Sequence, residues 1–210
     1  PQRFLDVDYP ALLAPHRPPS LEHLVLLDGD TPGLSSDLTL AQFLLGAATI
    51  DADSARQRAL AVGPEAMCDL LFTSGTTGKP KGVMSGHGQN LRAFTEYVKV
   101  IGLVPGDRYL IVNPFFHAFG YKAGWLTCLI GGATILPHAV FDAEQVFQRI
   151  ARERISVLPG APTLYLSLLA HPRLKQTDLS SLRIAVTGSA SIPPSLIERM
   201  RNELGFAVVT

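Results

Sequence analysis

Cysteine is scarce in this sequence, and its scarcity argues against two kinds of site. Cys68 and Cys128 are the two cysteines among 210 residues, and neither has a further cysteine or histidine at the spacing of metal ligands. A structural zinc site or a disulfide framework is therefore not expected. We predict two buried free thiols, as in proteins of a reducing cytoplasm.

The sequence also lacks an excess of either charge. Its 18 lysine and arginine residues balance its 18 aspartate and glutamate residues. Chains that bind nucleic acids or anionic membranes usually carry a surplus of positive charge. No nucleic-acid partner and no electrostatic membrane partner are therefore expected.

A long apolar run is missing too. The longest extends from residue 124 to residue 137 and is too short to cross a membrane. It predicts a core helix followed by a strand at 133–136. The chain starts at Pro1 with no initiator methionine and no basic-then-apolar leader. We therefore expect a cytoplasmic protein without a transmembrane segment, of which this chain is one piece.

What the sequence has instead is a polar, glycine-rich segment at 72–82. Glycines allow positive φ and a close approach of a ligand to the backbone. The hydroxyl groups can donate hydrogen bonds to phosphate oxygens, and Lys79 and Lys81 add positive charge. This composition predicts a loop that holds a polyphosphate. Its hydroxyl residues are Thr73, Ser74, Thr76 and Thr77, and its glycines are Gly75, Gly78 and Gly82.

The flanks of this segment distinguish it from a Walker loop. Apolar residues at 70–72 and 83–84 predict that the loop joins two strands, whereas a Walker loop joins a strand to a helix. A Walker lysine is followed by serine or threonine, but here Pro80 follows one lysine and Gly82 the other. A P-loop NTPase is therefore disfavoured. Taken alone, the segment would fit a polar hairpin without a ligand equally well.

The remaining pattern predicts an α/β protein. Residues 1–66 form a peripheral part with a strand at 23–27, a helix at 38–48 and a solvated connection at 51–59. From residue 67 onward strands alternate with helices, which is typical of a parallel sheet with helices on both faces and ligands at the carboxyl ends of its strands. The predicted helices are 142–153, 162–170 and 193–204, and the predicted strands are 155–158, 182–186 and 207–209. The glycine loop, His117, Gly160 and Gly188 all follow predicted strands, so we expect one site.

Five blocks in order resemble the acyl-adenylate-forming superfamily, which includes acyl-CoA synthetases, beetle luciferases and the adenylation domains of peptide synthetases. The resemblance extends from Asp69 to the end of the chain. Within the superfamily, the sequence is most similar to actinobacterial fatty-acid–CoA ligases for bulky or sterol-derived acids. It implies a layered αβα fold with a mostly parallel sheet, from the large domain of such an enzyme. The blocks are 72–82, 113–121, 159–165, 182–190 and 206–210.

The resemblance implies activation of a carboxylic acid by ATP to an acyl adenylate and then to a CoA thioester. ATP, Mg²⁺ and coenzyme A would take part, and Lys81 and His117 would be catalytic. The implied nucleotide-binding residues are Thr73, Ser74, Gly75, Thr76, Thr77, Gly78 and Lys81 at the phosphates and Gly188, Ser189 and Ala190 at the adenine. The implied acyl pocket contains His117, Phe119, Gly120 and Gly160.

Several functional blocks of that superfamily are not in this sequence. They include the Tyr-Gly-x-Thr-Glu block that serves the α-phosphate and magnesium, the ribose aspartate, and the C-terminal domain with its adenylation lysine. We therefore expect an inactive central piece of a longer enzyme, with the magnesium ligand outside this chain. Two alternatives stay open: a nucleotide-binding module without catalysis, and an adenylation domain that loads a carrier protein.

Overall fold

The computed structural model describes residues 3–4, 6–28, 37–75, 78–188, 191–205 and 207–209. These form two compact units, residues 1–62 and residues 63–210. The sequence pattern places the corresponding boundary after residue 66. Each unit has its own secondary structure.

The first unit contains short elements. Strand β1 (Arg3–Phe4) pairs antiparallel with β2 (Val7–Asp8), and β3 (Val25–Leu26) pairs parallel with β4 (Leu38–Thr39). The strand predicted at 23–27 is thus present in shortened form. The helices are α1 (Tyr9–Leu13), α2 (Leu40–Leu45) and α3 (Ala52–Leu60), with 3₁₀ turns at Ala14–His16 and Gly46–Thr49.

Two predictions for this unit need correction. The helix predicted from residue 38 begins at Leu40, because Thr39 is its N-cap and shares a reciprocal capping box with Gln42. The segment predicted as a connection at 51–59 is mostly helix α3. Asp51 caps this helix by accepting a hydrogen bond from the Ser54 amide at 2.9 Å. None of its residues is buried, so the helix has no apolar face that a periodicity argument could detect.

The second unit begins with a hairpin of β5 (Met67–Thr73) and β6 (Lys81–Gly86). The two strands are antiparallel, and Thr73 pairs with Lys81 next to the turn. The prediction that the glycine-rich loop joins two strands is confirmed. The hairpin forms a two-stranded sheet of its own, so the expectation that this loop lies at the edge of the parallel sheet is wrong.

A five-stranded parallel sheet forms the centre of the second unit. Its strand order is β11-β10-β9-β7-β8, and every pairing in it is parallel. The predicted parallel sheet is therefore confirmed; β9 and β10 are shorter than predicted, β8 is shifted by one residue, and β11 has its predicted bounds. The strands are β7 (Arg108–Ile111), β8 (Thr134–Pro137), β9 (Val157–Pro159), β10 (Ile184–Val186) and β11 (Ala207–Val209).

Helices cover both faces of this sheet, because its strands alternate apolar side chains between two buried clusters. One cluster contains Phe147 and Met200 of the helices, and the other contains Ile101 and Cys128. The helices are α4 (His87–Ile101), α5 (Ala118–Gly120), α6 (Thr127–Gly131), α7 (Ala143–Glu153), α8 (Pro162–Leu169) and α9 (Pro194–Leu204). A π-helical segment lies at Tyr121–Leu126 and a 3₁₀ turn at Pro172–Lys175.

The helix starts follow local sequence signals. Asp142 caps α7 by accepting a hydrogen bond from the Gln145 amide at 2.8 Å. Pro162 lies in the first turn of α8, where its missing N–H costs no helical hydrogen bond. Gly205 ends α9 with a φ of 77°, a conformation that glycine adopts without strain. Among the described residues, the helices are all too short or too polar to cross a membrane.

Candidate functional site

The glycine-rich loop begins where β5 ends. Thr73, Ser74, Gly75 and Gly78 are in the described part, whereas the predicted binding residues Thr76 and Thr77 lie outside the described residues. Gly75 has a φ of 65°, and a Cβ there would lie 2.2 Å from the Lys79 carbonyl oxygen. Only glycine fits this position, because the loop folds back so closely on itself.

The two lysines of this loop are available to a ligand. Lys79 and Lys81 are exposed, and neither forms an ion pair with a described residue. Lys81 lies opposite Thr73, so its ammonium group and the first hydroxyl of the loop stand at the same end of the hairpin. An ammonium group is a flexible point charge that attracts phosphate oxygens.

His117 follows β7 and is held by hydrogen bonds within its own turn. Its backbone amide donates to the Pro114 carbonyl oxygen at 3.0 Å, and its Nδ1 accepts from the Phe119 amide at 3.1 Å. Because Nδ1 is an acceptor, Nε2 carries the proton of the neutral imidazole. The side chain is exposed, so Nε2–H can donate to a ligand oxygen.

The glycines that we predicted for the acyl pocket are positions of close packing. A Cβ on Gly120 would lie 2.2 Å from the Pro114 carbonyl oxygen and 2.4 Å from that of Asn113. A Cβ on Gly160 would lie 2.8 Å from a methyl group of Leu164. Phe119, which directly precedes Gly120, is partly exposed.

The carboxyl ends of the parallel strands bring several predicted residues to one edge. Gly160 follows β9 and Gly188 lies shortly after β10, while Ser189 and Ala190 lie outside the described residues. Two polar atoms at this edge, Asn113 Oδ1 and Thr187 Oγ1, are buried and have no hydrogen-bond partner in the described part of the chain. Buried polar atoms usually need a partner, so these two can accept one from a ligand or water.

A buried ion pair was not foreseen from the sequence. Lys122, in the π-helical segment after His117, lies 3.0 Å from Asp69 Oδ1 of β5, and both side chains are about nine-tenths buried. Burial acts to raise the pKa of Asp69, but hydrogen bonds from Lys122 and Asn90 outweigh it and lower that pKa below its ordinary value. The sequence feature that could have indicated this pair is that Asp69 and Lys122 are each a single charged residue within an apolar run.

The thiols differ in burial. Cys128 is fully buried, and burial raises its pKa to about 12. Cys68 is partly exposed and lies 3.6 Å from the Tyr121 hydroxyl, so the prediction of burial is wrong for this residue. Neither cysteine is in a disulfide bond.

A groove of about 400 Å³ lies between α8 and α9. Its lining includes Thr163, Leu166, Ser195 and Arg199, and it contains none of the residues predicted for the acyl pocket. The lining begins at Ala161, directly after Gly160. Among the described residues, no group of three histidine, cysteine, aspartate or glutamate side chains could hold a metal ion.

The sequence of this chain matches a known protein family over most of its length. Residues 12–210 match the family described as AMP-binding enzyme. The chain belongs to the AMP-binding enzyme family. The resemblance to acyl-adenylate-forming enzymes is thereby confirmed.

Relatives of this AMP-binding chain carry acyl-CoA ligase names. It is 48% identical over 207 residues to the "3-[(3aS,4S,7aS)-7a-methyl-1,5-dioxo-octahydro-1H-inden-4-yl]propanoyl:CoA ligase" of Mycobacterium tuberculosis, covering 98% of this chain and 40% of the relative. The protein of that name from Rhodococcus jostii is 47% identical, with 88% and 36% covered. The AMP-binding chain thus spans about two fifths of the relatives' length.

A solved structure supports the fold of the AMP-binding chain. The inhibitor-bound N-terminal domain of FACL13 from Mycobacterium tuberculosis superposes with a TM-score of 0.71 at 26% identity, covering 86% of this chain and 44% of that domain. The predicted αβα fold from the large domain of such an enzyme is therefore confirmed.

Proposed function

We propose that this chain is part of an acid–thiol ligase that activates a carboxylic acid with ATP and transfers the acyl group to coenzyme A. Family membership and the ligase names of the relatives support this activity. The observation that carries it in this molecule is the glycine loop with two exposed lysines that form no ion pair with a described residue, in the same compact unit as an exposed His117. The protein would work in the cytoplasm.

The first half-reaction needs positioning and charge stabilisation more than a nucleophilic side chain. The substrate carboxylate attacks the α-phosphorus of ATP in line, and pyrophosphate leaves. The backbone amides and hydroxyls of the loop would hold the β- and γ-phosphates. Lys81 would neutralise the negative charge that grows on the departing pyrophosphate.

His117 would act at the other end of the reaction. Its Nδ1 is engaged by the Phe119 amide, so the imidazole has a fixed orientation and presents Nε2–H. This N–H would donate to the carboxylate or to an oxygen of the adenylate phosphate. Such a bond stabilises negative charge on the reacting oxygens without any proton transfer.

The acid is proposed to be bulky and alicyclic or fatty. At 48% identity, the relative named above acts on a propanoyl group attached to a bicyclic diketone. Phe119 would form one wall of the acyl pocket, because it lies two residues after His117 and is partly exposed. A long- or medium-chain fatty acid is the other candidate for the same pocket.

ATP and coenzyme A would be co-substrates, with Mg²⁺ bound to ATP and to a protein ligand outside this chain. The described residues contain no group that could bind the metal by itself. Gly188, with Ser189 and Ala190, would lie along the adenine. The role of this chain's own residues is then to bind the phosphates and orient the carboxylate.

The experiment is carboxylate-dependent exchange of labelled pyrophosphate into ATP by the full-length protein, followed by detection of the CoA thioester. A panel of bicyclic propanoates and of straight-chain acids should give exchange with at least one class. Exchange without thioester formation would indicate that a carrier protein accepts the acyl group. ATP binding with no exchange for any acid would support a nucleotide-binding module and contradict the proposal.

A further inference from the structure

Lys122 connects two parts of the molecule that lie far apart in the sequence. Its ammonium group lies 3.0 Å from Asp69 Oδ1 and donates a hydrogen bond to Ser85 Oγ at 2.9 Å. Asp69 and Ser85 are cross-strand partners in the hairpin of β5 and β6. Asn90 of α4 donates to the second Asp69 oxygen at 2.7 Å, whereas Oδ1 is held by the charge of Lys122 without a hydrogen bond of good geometry from a described residue.

A second contact joins the same two parts. Tyr121 precedes Lys122, and its hydroxyl lies 3.6 Å from Cys68 Sγ, next to Asp69 in β5. The Tyr121 ring stacks on Trp125 with a centroid distance of 4.7 Å. The π-helical segment therefore contacts the hairpin through two successive side chains whose own positions are restrained.

The positions of these residues relate them to the candidate site. Asp69 lies in the strand that ends at Thr73, where the glycine loop begins. Lys122 lies in the π-helical segment that follows α5, the short helix capped by His117. One ammonium group thus holds both strands of the loop-bearing hairpin against the π-helical segment, whose first residue, Tyr121, donates its backbone N–H to the His117 carbonyl oxygen at 2.9 Å. No other ion pair between described residues joins the hairpin to the rest of its unit.

The burial of this pair argues against a purely stabilising role. Both side chains are about nine-tenths buried. The attraction between two buried charges offsets only part of the free energy that they lose when they leave water. An apolar pair of similar volume is often as stable. An ion pair with directed hydrogen bonds fixes the relative position of the groups that it joins. An apolar contact is non-directional and fixes that position less closely.

We propose that Lys122 and Asp69 are a positioning pair that fixes the glycine-loop hairpin relative to His117, so that the bound carboxylate and the α-phosphorus of ATP meet in line. This inference rests on the proposed function. In-line attack requires reacting atoms held about 3 to 3.5 Å apart, and a misplacement of about 1 Å can cost on the order of 100-fold in rate. The two ends of the reaction are held by different elements, and this pair connects them.

The test compares Lys122→Met, which leaves the Asp69 carboxylate buried without its cation, with the double variant Lys122→Met/Asp69→Asn, which removes both charges. Both are made in the full-length protein. We expect the single variant to melt at a much lower temperature and the double variant to melt near the unaltered protein. In the double variant, kcat for pyrophosphate exchange should still be lower by about 100-fold, with a small change in the KM for ATP.

A second readout separates positioning from general damage. Thioester formation from a supplied acyl adenylate does not need the triphosphate to be aligned, so the double variant should retain most of this half-reaction. The matched control is Lys99→Met/Glu96→Gln, which removes an exposed ion pair of α4 with side chains 64% and 67% exposed. This control should change neither melting temperature nor exchange.

The outcomes are distinguishable. Recovery of exchange together with stability in the double variant would overturn the positioning role, and so would an equal loss in both half-reactions. A double variant that melts far below the unaltered protein would also overturn it, because the pair would then be needed for the fold itself. If the unaltered protein shows no exchange with any acid, the proposed function fails and this inference fails with it.

Discussion

At the scale of single residues, Lys81 is the side chain whose role is most specific to one chemical step. It is exposed at the end of the hairpin and forms no ion pair with a described residue, so its charge is not used to hold the fold. In the full-length protein we expect Lys81→Ala to slow adenylation by about 100-fold, because the departing pyrophosphate loses a cation. Thioester formation from a supplied acyl adenylate should be nearly unchanged, since no pyrophosphate leaves in that step.

Pre-steady-state rates for the two half-reactions check this prediction, with Lys99→Ala as the control for loss of an exposed lysine. If both half-reactions decline together, Lys81 contributes to folding and has no specific role at the pyrophosphate.

Phe119 is the residue that tests the position of the acyl pocket. It is partly exposed, and its amide already binds His117 Nδ1 through the backbone, so truncating the ring leaves that bond in place. Deleting a phenyl ring from a closed core costs about 3 to 5 kcal/mol, but the loss should be much smaller in a pocket open to solvent. We expect Phe119→Ala to reorder carboxylic acids by kcat/KM in favour of bulkier ones.

The measurement is kcat/KM for a graded series of acids, together with the melting temperature. A uniform loss for all acids with a melting temperature many degrees lower would identify Phe119 as a core residue. In that case the pocket lies elsewhere.

At the scale of elements, one arginine links α7 to the end of β8 by a hydrogen bond. Arg149 of α7 donates to the Pro137 carbonyl oxygen at the end of β8 at 2.6 Å, and Glu153 holds the guanidinium through two bonds of 2.8 and 2.9 Å. These bonds, chiefly those from Arg149, lower the pKa of Glu153 from its ordinary value of 4.5 to about 2. Both side chains are 17% exposed, so the pair is only partly screened by solvent.

This shift has a definite sign for stability. Because the folded-state pKa is below the unfolded one, the contribution is fully present above pH 4.5 and is lost as the pH falls toward about 2. Glu153→Gln should therefore be destabilised at pH 7 but differ little from the unaltered protein near pH 2. Denaturant unfolding at a series of pH values measures the difference, and a gap that stays constant from pH 7 to pH 2 would contradict the assignment.

The elements also show what the sequence could and could not predict. Asp142, Pro162 and Gly205 mark helix ends by local chemistry, so α7, α8 and α9 were predicted nearly to their limits. The helix from Ala52 to Leu60 was missed because its residues are not buried and an apolar period is absent. A cap alone, here Asp51, is a weak signal without an apolar face behind it.

At the scale of the whole molecule, pairing over long sequence distances was the least predictable feature. The strands of the hairpin contain apolar runs, as do those of the parallel sheet, and an apolar run does not indicate which sheet a strand joins. The Lys122–Asp69 ion pair could not be predicted for the same reason, because the sequence around each residue does not indicate its partner. The loop composition and the order of the blocks identified the family, whereas the geometry between loop and histidine required the fold.

The whole-molecule prediction concerns the activity of the 210-residue chain by itself. The resemblance to acyl-adenylate-forming enzymes implies that the magnesium ligand, the ribose carboxylate and the adenylation lysine belong to other parts of the full-length enzyme, and the chain spans about two fifths of its ligase relatives. Removal of one electrostatic contact in an active site commonly costs about 100-fold or more in rate, and here several are removed together. The isolated chain should therefore show no acyl-CoA formation above background with ATP, coenzyme A and any acid of the panel. The full-length protein, assayed at the same concentration, is the control, and turnover by the isolated chain at a rate near that of the full-length protein would show that the catalytic groups lie within these residues.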